Sequence, residues 1–197
     1  MLFRSVPLIR SDYLFEPTSQ QNHHYMFTQW IPYHGAGYVV GHSAIGFKVG
    51  SDVEPYSFRA NMSPSLTLCY DMRRKDLNYE LARQLFNQLR EIQPYYLGDF
   101  YPLTPYSLSN DAWAAWQYDR PETHEGCVQA FRRPDSSFEA ARFKLRGLDA
   151  GTSYVVTDLD RPNETVTLTG KELMEHGLLI NIPARPGAAV FTYKKAK

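Results

Sequence analysis

The chain has 197 residues, with 21 Lys and Arg against 21 Asp and Glu, so its formal net charge is zero. A balanced surface attracts no polyanion, which argues against nucleic acid or an anionic membrane as partner. A complete eight-stranded α/β barrel, which takes roughly 250 residues, is excluded by length. Aromatic residues make up 14% of the chain, 14 of them Tyr, a content that suits sugar-facing rings or well-packed β-structure.

Cys69 and Cys127 form no Cys-x-x-Cys or Cys/His pattern and are expected to be reduced core thiols. The first ten residues lack the apolar core of a signal peptide, and no stretch reaches the ~18 apolar residues of a membrane span. A cytoplasmic protein without membrane contact is the default expectation.

In chain order, residues 1–17 read as a short amphipathic segment running into a strand-like turn, with Pro17 as its stop. Residues 23–32 are aromatic and β-favouring and end at Pro32, which predicts a buried strand. Gly35, Gly37, Gly41, Gly46 and Gly50 then punctuate a long loop. A second short strand is predicted over 64–71. Over 76–93, Leu77, Leu81, Leu85, Leu89 and Ile92 share one helical face, with Asp76 as N-cap and Pro94 as stop. That stripe is expected to pack on the strands at 23–32 and 64–71. Strand, loop, strand, helix is the order of βα units.

From about residue 110 the chain turns to short alternating segments at 127–133, 141–146, 153–158, 164–169, 178–182 and 188–193. Ala141, Phe143 and Leu145 alternate with Arg142, Lys144 and Arg146, so one face is buried and one is wet. Turn residues at 149–152, 161–164 and 185–187 separate the strands of an antiparallel β-domain.

Little chemistry follows from spacing alone. His23, His24, His34 and His42 match no zinc-ligand pattern, and neighbours on a strand point to opposite faces, so neither metal nor cofactor is expected. Ser43 and Ser63 lack a Gly-x-Ser-x-Gly elbow. Asp76 and Glu80 share a helix face but read as helix-start residues, and Asp99 reads as a turn residue.

Several longer strings, in this order, carry a resemblance: Ser11–Pro17, Phe58–Pro64, Met72–Asp76, Gly98–Ser107, Asp119–Glu122 and Gln129–Arg133. Together they resemble the C-terminal third of glycoside hydrolase family 36, the α-galactosidases and their relatives. The resemblance implies an α+β chain: a partial (β/α)8 barrel, its last two βα units, over 1–107, then an antiparallel β-sandwich over 108–197. It places the family's nucleophilic and acid/base Asp before residue 1. The positions nearest to sugar would be those at the C-terminal ends of the barrel strands: Trp30, Tyr33 and His34 after one, Tyr70 and Asp71 after the next. Asp71 and His34 are then the catalytic candidates, and Trp30, Tyr33 and Tyr70 the substrate-binding ones. Each has a structural alternative: Trp30 as a rim or core aromatic, and Asp71 as an ion-pair partner of Arg73 and Arg74. Retaining hydrolysis needs two carboxyl groups about 5–5.5 Å apart, and among Asp12, Glu16, Asp52, Glu54, Asp71, Asp76, Glu80 and Asp99 no pair stands out.

The function implied is that of an α-galactosidase-type protein for galactoside-like sugars, with any activity dependent on self-assembly or a partner chain. The alternative is a non-catalytic self-associating or carbohydrate-binding module. A third possibility is a composite pocket, in which four copies with two strands each make up eight. A barrel remnant would leave strand edges and strand faces bare, so a homo-oligomer is expected.

Overall fold

The computed structural model describes residues 9–11, 16–30, 36–41 and 52–196. Two compact units divide the chain, Met1–Tyr96 and Leu97–Lys197.

The first unit alternates β1 (Ile9–Ser11), α1 (Pro17–Thr28), β2 (Ala36–Val40), α2 (Pro55–Ala60), β3 (Ser65–Leu68) and α3 (Tyr79–Ile92). Its strands form one parallel sheet in the order β1-β2-β3, with Ile9 opposite Ala36 and Gly37 opposite Ser65. Among the described residues three strands are present, and of these only β3 was an expected strand: β1 lies in the opening segment, and β2 within the glycine-punctuated stretch taken for a loop. The strand expected at 23–32 is also corrected, since residues up to Thr28 belong to α1. The reason is local. The Glu16 carboxylate accepts from the backbone N–H groups of Thr18 at 2.9 Å and Ser19 at 2.6 Å, and Pro17, already set to a helical φ, starts the helix rather than stopping the segment. That cap outweighs the β-preference of the aromatic run. The same Glu-Pro device starts α2, where Glu54 accepts from Tyr56 N at 2.7 Å and Ser57 N at 2.6 Å.

The helix α3 begins at Tyr79, capped by Asn78, whose Oδ1 accepts from Leu81 N at 2.9 Å. Asp76, the expected cap, is instead paired with Arg74. The leucine stripe is buried at Leu85, Leu89 and Ile92. One neighbour is α2 rather than a strand at 23–32: Phe86 meets Phe58 edge-on at 5.2 Å, and Arg59 Nη2 donates to Gln88 Oε1 at 2.9 Å.

The second unit is antiparallel throughout. It contains β4 (Asp99–Pro102), β5 (Trp113–Arg120), β6 (Glu125–Arg132), β7 (Ala140–Phe143), β8 (Ser153–Asp158), β9 (Thr165–Thr169), α4 (Gly170–Glu175), β10 (Leu178–Asn181) and β11 (Gly187–Lys195). Six strands pair in the order β4-β5-β6-β11-β8-β9, and β10 pairs with β7 in a second sheet. One core joins both sheets, with Val128, Ala130, Tyr154 and Tyr193 from the larger and Phe143 and Ile180 from the smaller, and Leu173 of α4 beside them. The six alternating segments are β6 to β11. Strand β5, six of whose eight residues are buried in succession, lay outside the expected segments, although β6 is as continuously buried. Asp99, read as a turn residue, lies in β4, opposite Asp119 of β5. Helix α4 rests on a capping box between Thr169 and Glu172.

Inside this unit a polar chain crosses the larger sheet. Tyr193 Oη donates to Asp119 Oδ1 at 2.6 Å and accepts from Gln117 Nε2 at 2.8 Å, while Gln117 Oε1 accepts from Arg146 N at 2.8 Å. Burial pushes the Asp119 carboxyl up to about 6, against the pull of the Tyr193 hydroxyl, with Asp99 and Glu122 raising it further.

Leu85 is fully buried, so Leu85→Ala should cost about 2–5 kcal/mol in urea unfolding; a loss under about 0.5 kcal/mol would show an exposed face. Tyr193→Phe should cost about 1–3 kcal/mol, the penalty of an unsatisfied buried acceptor. By removing a donor to the ionised form, it should also lift the Asp119 midpoint, read by carboxyl NMR titration. The folded midpoint of Asp119 lies above the unfolded value of about 4. This group therefore makes the fold more stable at low pH and loses that contribution as pH rises through about 6.

Candidate functional site

The ends of β2 and β3 hold those candidates of the first unit that the structure describes most fully. The two strands run parallel with Val40 opposite Leu68, and one residue further on Cys69 N donates to Val40 O at 2.8 Å. Gly41 follows β2 at φ +94°, where a Cβ would lie 2.6 Å from Tyr70 N and 2.9 Å from Cys69 C. Only glycine lets the chain leave β2 this close to the chain leaving β3.

Tyr70 is 8% exposed, and burial, with Glu54 nearby, raises its hydroxyl above the ordinary tyrosine range. It is a neutral phenol at any physiological pH. Asp71 is gripped by Arg73: Nε donates to Oδ1 and Nη2 to Oδ2, both at 2.9 Å, and the Arg73 backbone N–H adds a 3.1 Å bond. The Arg73 side chain and backbone hold the Asp71 carboxyl down to about 2. Such a group stays ionised, so it can accept hydrogen bonds or stabilise positive charge but cannot donate a proton. Arg74 is bound on two sides, its Nη2 2.6 Å from Asp52 Oδ1 and 2.7 Å from Asp76 Oδ2, and its carbonyl accepts from Tyr79 Oη at 2.9 Å.

Trp30 lies in the turn after α1, 82% exposed. Tyr33 and His34 lie outside the described residues, as does His42. Tyr70 and Asp71 are therefore neighbours at one strand end, and Trp30 stands at the end of a helix instead of the end of a strand. His23 and His24 sit in α1, not on a strand as expected, and both rings approach Tyr38, at 5.9 and 6.3 Å. Burial lowers both imidazoles, His24 strongly, with His23 adding to the effect. Among the described residues no group of three or more His, Cys, Asp or Glu is placed to hold a metal ion.

The other carboxylates weighed have structural partners. Glu16 and Glu54 cap helices, Asp52 and Asp76 hold Arg74, and Glu80 pairs with Arg83. Asp12 lies outside the described residues. Sequence reasoning took Asp119 only as the start of the family-like string Asp119–Glu122 and gave it no place in a site; it stands in the buried part of β5. Both cysteines are free, Cys127 fully buried and its thiol pushed up by that burial.

A family model described as the Glycosyl hydrolase family 36 C-terminal domain matches residues 113–192. Among solved structures, the chain is similar to the family 36 α-galactosidase AgaB of Geobacillus stearothermophilus, with 20% identity and a TM-score of 0.69 over 92% of this chain. It is similar to a variant of AgaA from the same organism in complex with raffinose, with 16% identity and a TM-score of 0.72 over 92% of this chain. It is also similar to the α-galactosidase from Lactobacillus brevis, with 14% identity and a TM-score of 0.69 over 93% of this chain. The chain spans 25% of the length of each of these structures. A search of curated proteins found no match.

The Asp71 carboxyl should remain ionised down to pH about 2 in an NMR titration of the native protein, and Arg73→Ala should return it to the ordinary carboxylate range. An unchanged midpoint in Arg73→Ala would show that the pair is not formed.

Proposed function

Over residues 113–192 the chain is similar to the C-terminal domain of glycosyl hydrolase family 36, and we propose that it is a glycoside hydrolase-related protein of the α-galactosidase type, acting on or binding galactoside-like sugars. The observation that carries this reading is the order of its two units along the chain, a parallel βα unit followed by an antiparallel one, with similarity to α-galactosidases over 92% of the chain at TM-scores of 0.69 to 0.72. Two of the similar structures are of AgaA with raffinose and with stachyose, both galactosides. In this reading the first unit supplies closing βα pairs of a barrel, and the nucleophile and acid/base are contributed by another polypeptide or by other copies. The described edge strand β3 supports it: Ser65, Thr67 and Leu68 are exposed, and its outer edge has no neighbour in the sheet of described strands. The described residues hold three parallel strands, against the two on which a four-copy, eight-strand pocket was counted, so this reading takes the rest of the barrel from a different chain.

A second reading, a non-catalytic carbohydrate-binding or self-associating module, is favoured by the commitment of Glu16, Asp52, Glu54, Asp71, Asp76 and Glu80 to caps and ion pairs. A panel of nitrophenyl glycosides, run on the purified chain alone and mixed with lysate fractions, separates the two. Turnover of the α-galactoside in either arm supports the first reading, while sugar binding without turnover supports the second. Light scattering should give a mass above that of the 22.7 kDa monomer, and Leu66→Asp in β3 should dissociate the assembly or unfold it. A stable monomer that neither binds nor cleaves galactosides would overturn both readings.

A further inference from the structure

The larger sheet of the second unit ends in two unlike edges, β4 on one side and β9 on the other. The β4 edge carries Asp99 and Pro102, a charge and a residue without an N–H, and both discourage further pairing. The β9 edge, Thr165-Val166-Thr167-Leu168-Thr169, has neither. Thr165, Val166 and Thr167 are exposed, Val166 to 47%.

The ladder fixes which backbone groups β9 leaves open. Ala196 N donates to Ser153 O and Leu159 N to Val190 O, so the odd-numbered residues along β8 bond to β11. Alternation turns the even-numbered ones, Tyr154 and Val156, to Leu168 and Val166 of β9, and Gly170 N donates to Thr152 O in the same phase. The N–H and C=O groups of Thr165, Thr167 and Thr169 therefore point away from β8. Thr169 N is taken by Glu172 Oε2 at 2.8 Å within the capping box. Thr165 and Thr167 keep both groups open, with no partner among the described residues.

The order of residues decides what fits this edge. Read in either direction it is Thr, apolar, Thr, apolar, Thr. In an antiparallel pair centred on Thr167, each Thr lies opposite a Thr and Val166 lies opposite Leu168. Val166 and Leu168 share a face with Val156 and Tyr154 of the core, so such a pair carries the apolar layer across the edge. Beyond the strand, the same register sets Glu164 of one copy beside Lys171 of the other and opposes no like charges. The ion pair of Glu164 with Arg161, at 3.4 Å, is an exposed one.

We propose that β9 is a self-pairing edge, at which two copies of this chain join β9 to β9 antiparallel about Thr167 and so merge their larger sheets. Thr167 N–H and C=O meet their own counterparts, and Thr165 N–H reaches Thr169 C=O. Five residues a side bury less than the about 800 Å² per partner of a standard interface, so the dimer is a weak one. The surface rests neither on the α-galactosidase reading nor on the edge of β3, and its test reads β9 itself instead of total mass.

Residue-resolved hydrogen exchange of the full chain, from about 10 μM to about 1 mM, should show the Thr165 and Thr167 amides slowing at least about tenfold with concentration. Protection that does not depend on concentration marks an occupant from the same chain, and absence of protection leaves an open edge; either overturns the proposal. At the two-fold axis the Thr167 Cα atoms lie about 5.5 Å apart, within disulfide reach, whereas the Thr165 Cα atoms lie about 14 Å apart. Thr167→Cys should therefore give a covalent dimer on mild oxidation. Thr165→Cys should not, nor should the native chain with Cys69 and Cys127. Protected amides without the Thr167→Cys crosslink mark pairing with a different strand and overturn the proposal. Val166→Lys, a charge at an exposed edge position, should abolish the protection; a folded variant that keeps it overturns the proposal as well. Should that variant not fold, the exchange of the native chain and the crosslink decide.

Discussion

Tyr193 brings its hydroxyl to a point inside the larger sheet that three strands have to leave free. A Cβ on Gly126 of β6 would lie 2.3 Å from that hydroxyl, so a glycine is required where the ring crosses. Gln117 of β5 is fully buried and is satisfied by the same hydroxyl, together with the backbone of Arg146. The pairing of β5, β6 and β11 is therefore locked at its centre by a polar chain as well as by apolar contacts. An apolar core tolerates small slips, but a buried polar network with one good geometry does not. That lock also holds the Asp119 carboxylate, with Oδ1 bound and Oδ2 buried without a donor.

The first unit is organised by a different constraint, the start of each helix. Two Glu-Pro pairs, Glu16-Pro17 and Glu54-Pro55, each turn an extended chain into a helix by capping two backbone N–H groups. The helix they impose on α1 buries polar side chains, Gln20, Gln21 and His24, in place of an apolar stripe. No helix among the described residues is long and apolar enough to cross a membrane. At the strand ends, ion pairs around Arg73 and Arg74 fix the loop that carries Asp71. These carboxylates are committed to architecture.

Much of the second unit was legible residue by residue. Period-two burial is present in β8 and β10, where one face is wet, and leaves a direct trace in the order of residues, whereas β6 and β11 are each buried over seven residues in succession. The leucine stripe of α3 was equally plain, since a 3.6-residue period needs no knowledge of what covers it. The family 36 likeness over 113–192, expected from strings such as Gln129–Arg133, rests on residues that lie in those same strands.

What the order of residues could not disclose depends on burial from both sides or on contacts far apart in sequence. Strand β5 lost its alternation by being buried on both faces, and β2 was concealed by glycines that serve close approach, as Gly41 does against Tyr70. The aromatic run at 23–28 has the composition of a strand, yet a cap formed by Glu16 and Pro17 made it a helix. Asp119 reads as an ordinary carboxylate until Tyr193, 74 residues away, binds one oxygen and the other is left buried without a donor. Sequence by itself determined the period of elements such as α3, β8 and β10 and the family likeness, because both are properties of neighbours along the chain. Tertiary structure alone decided which polar groups were left without partners, because that depends on which distant residues come to enclose them.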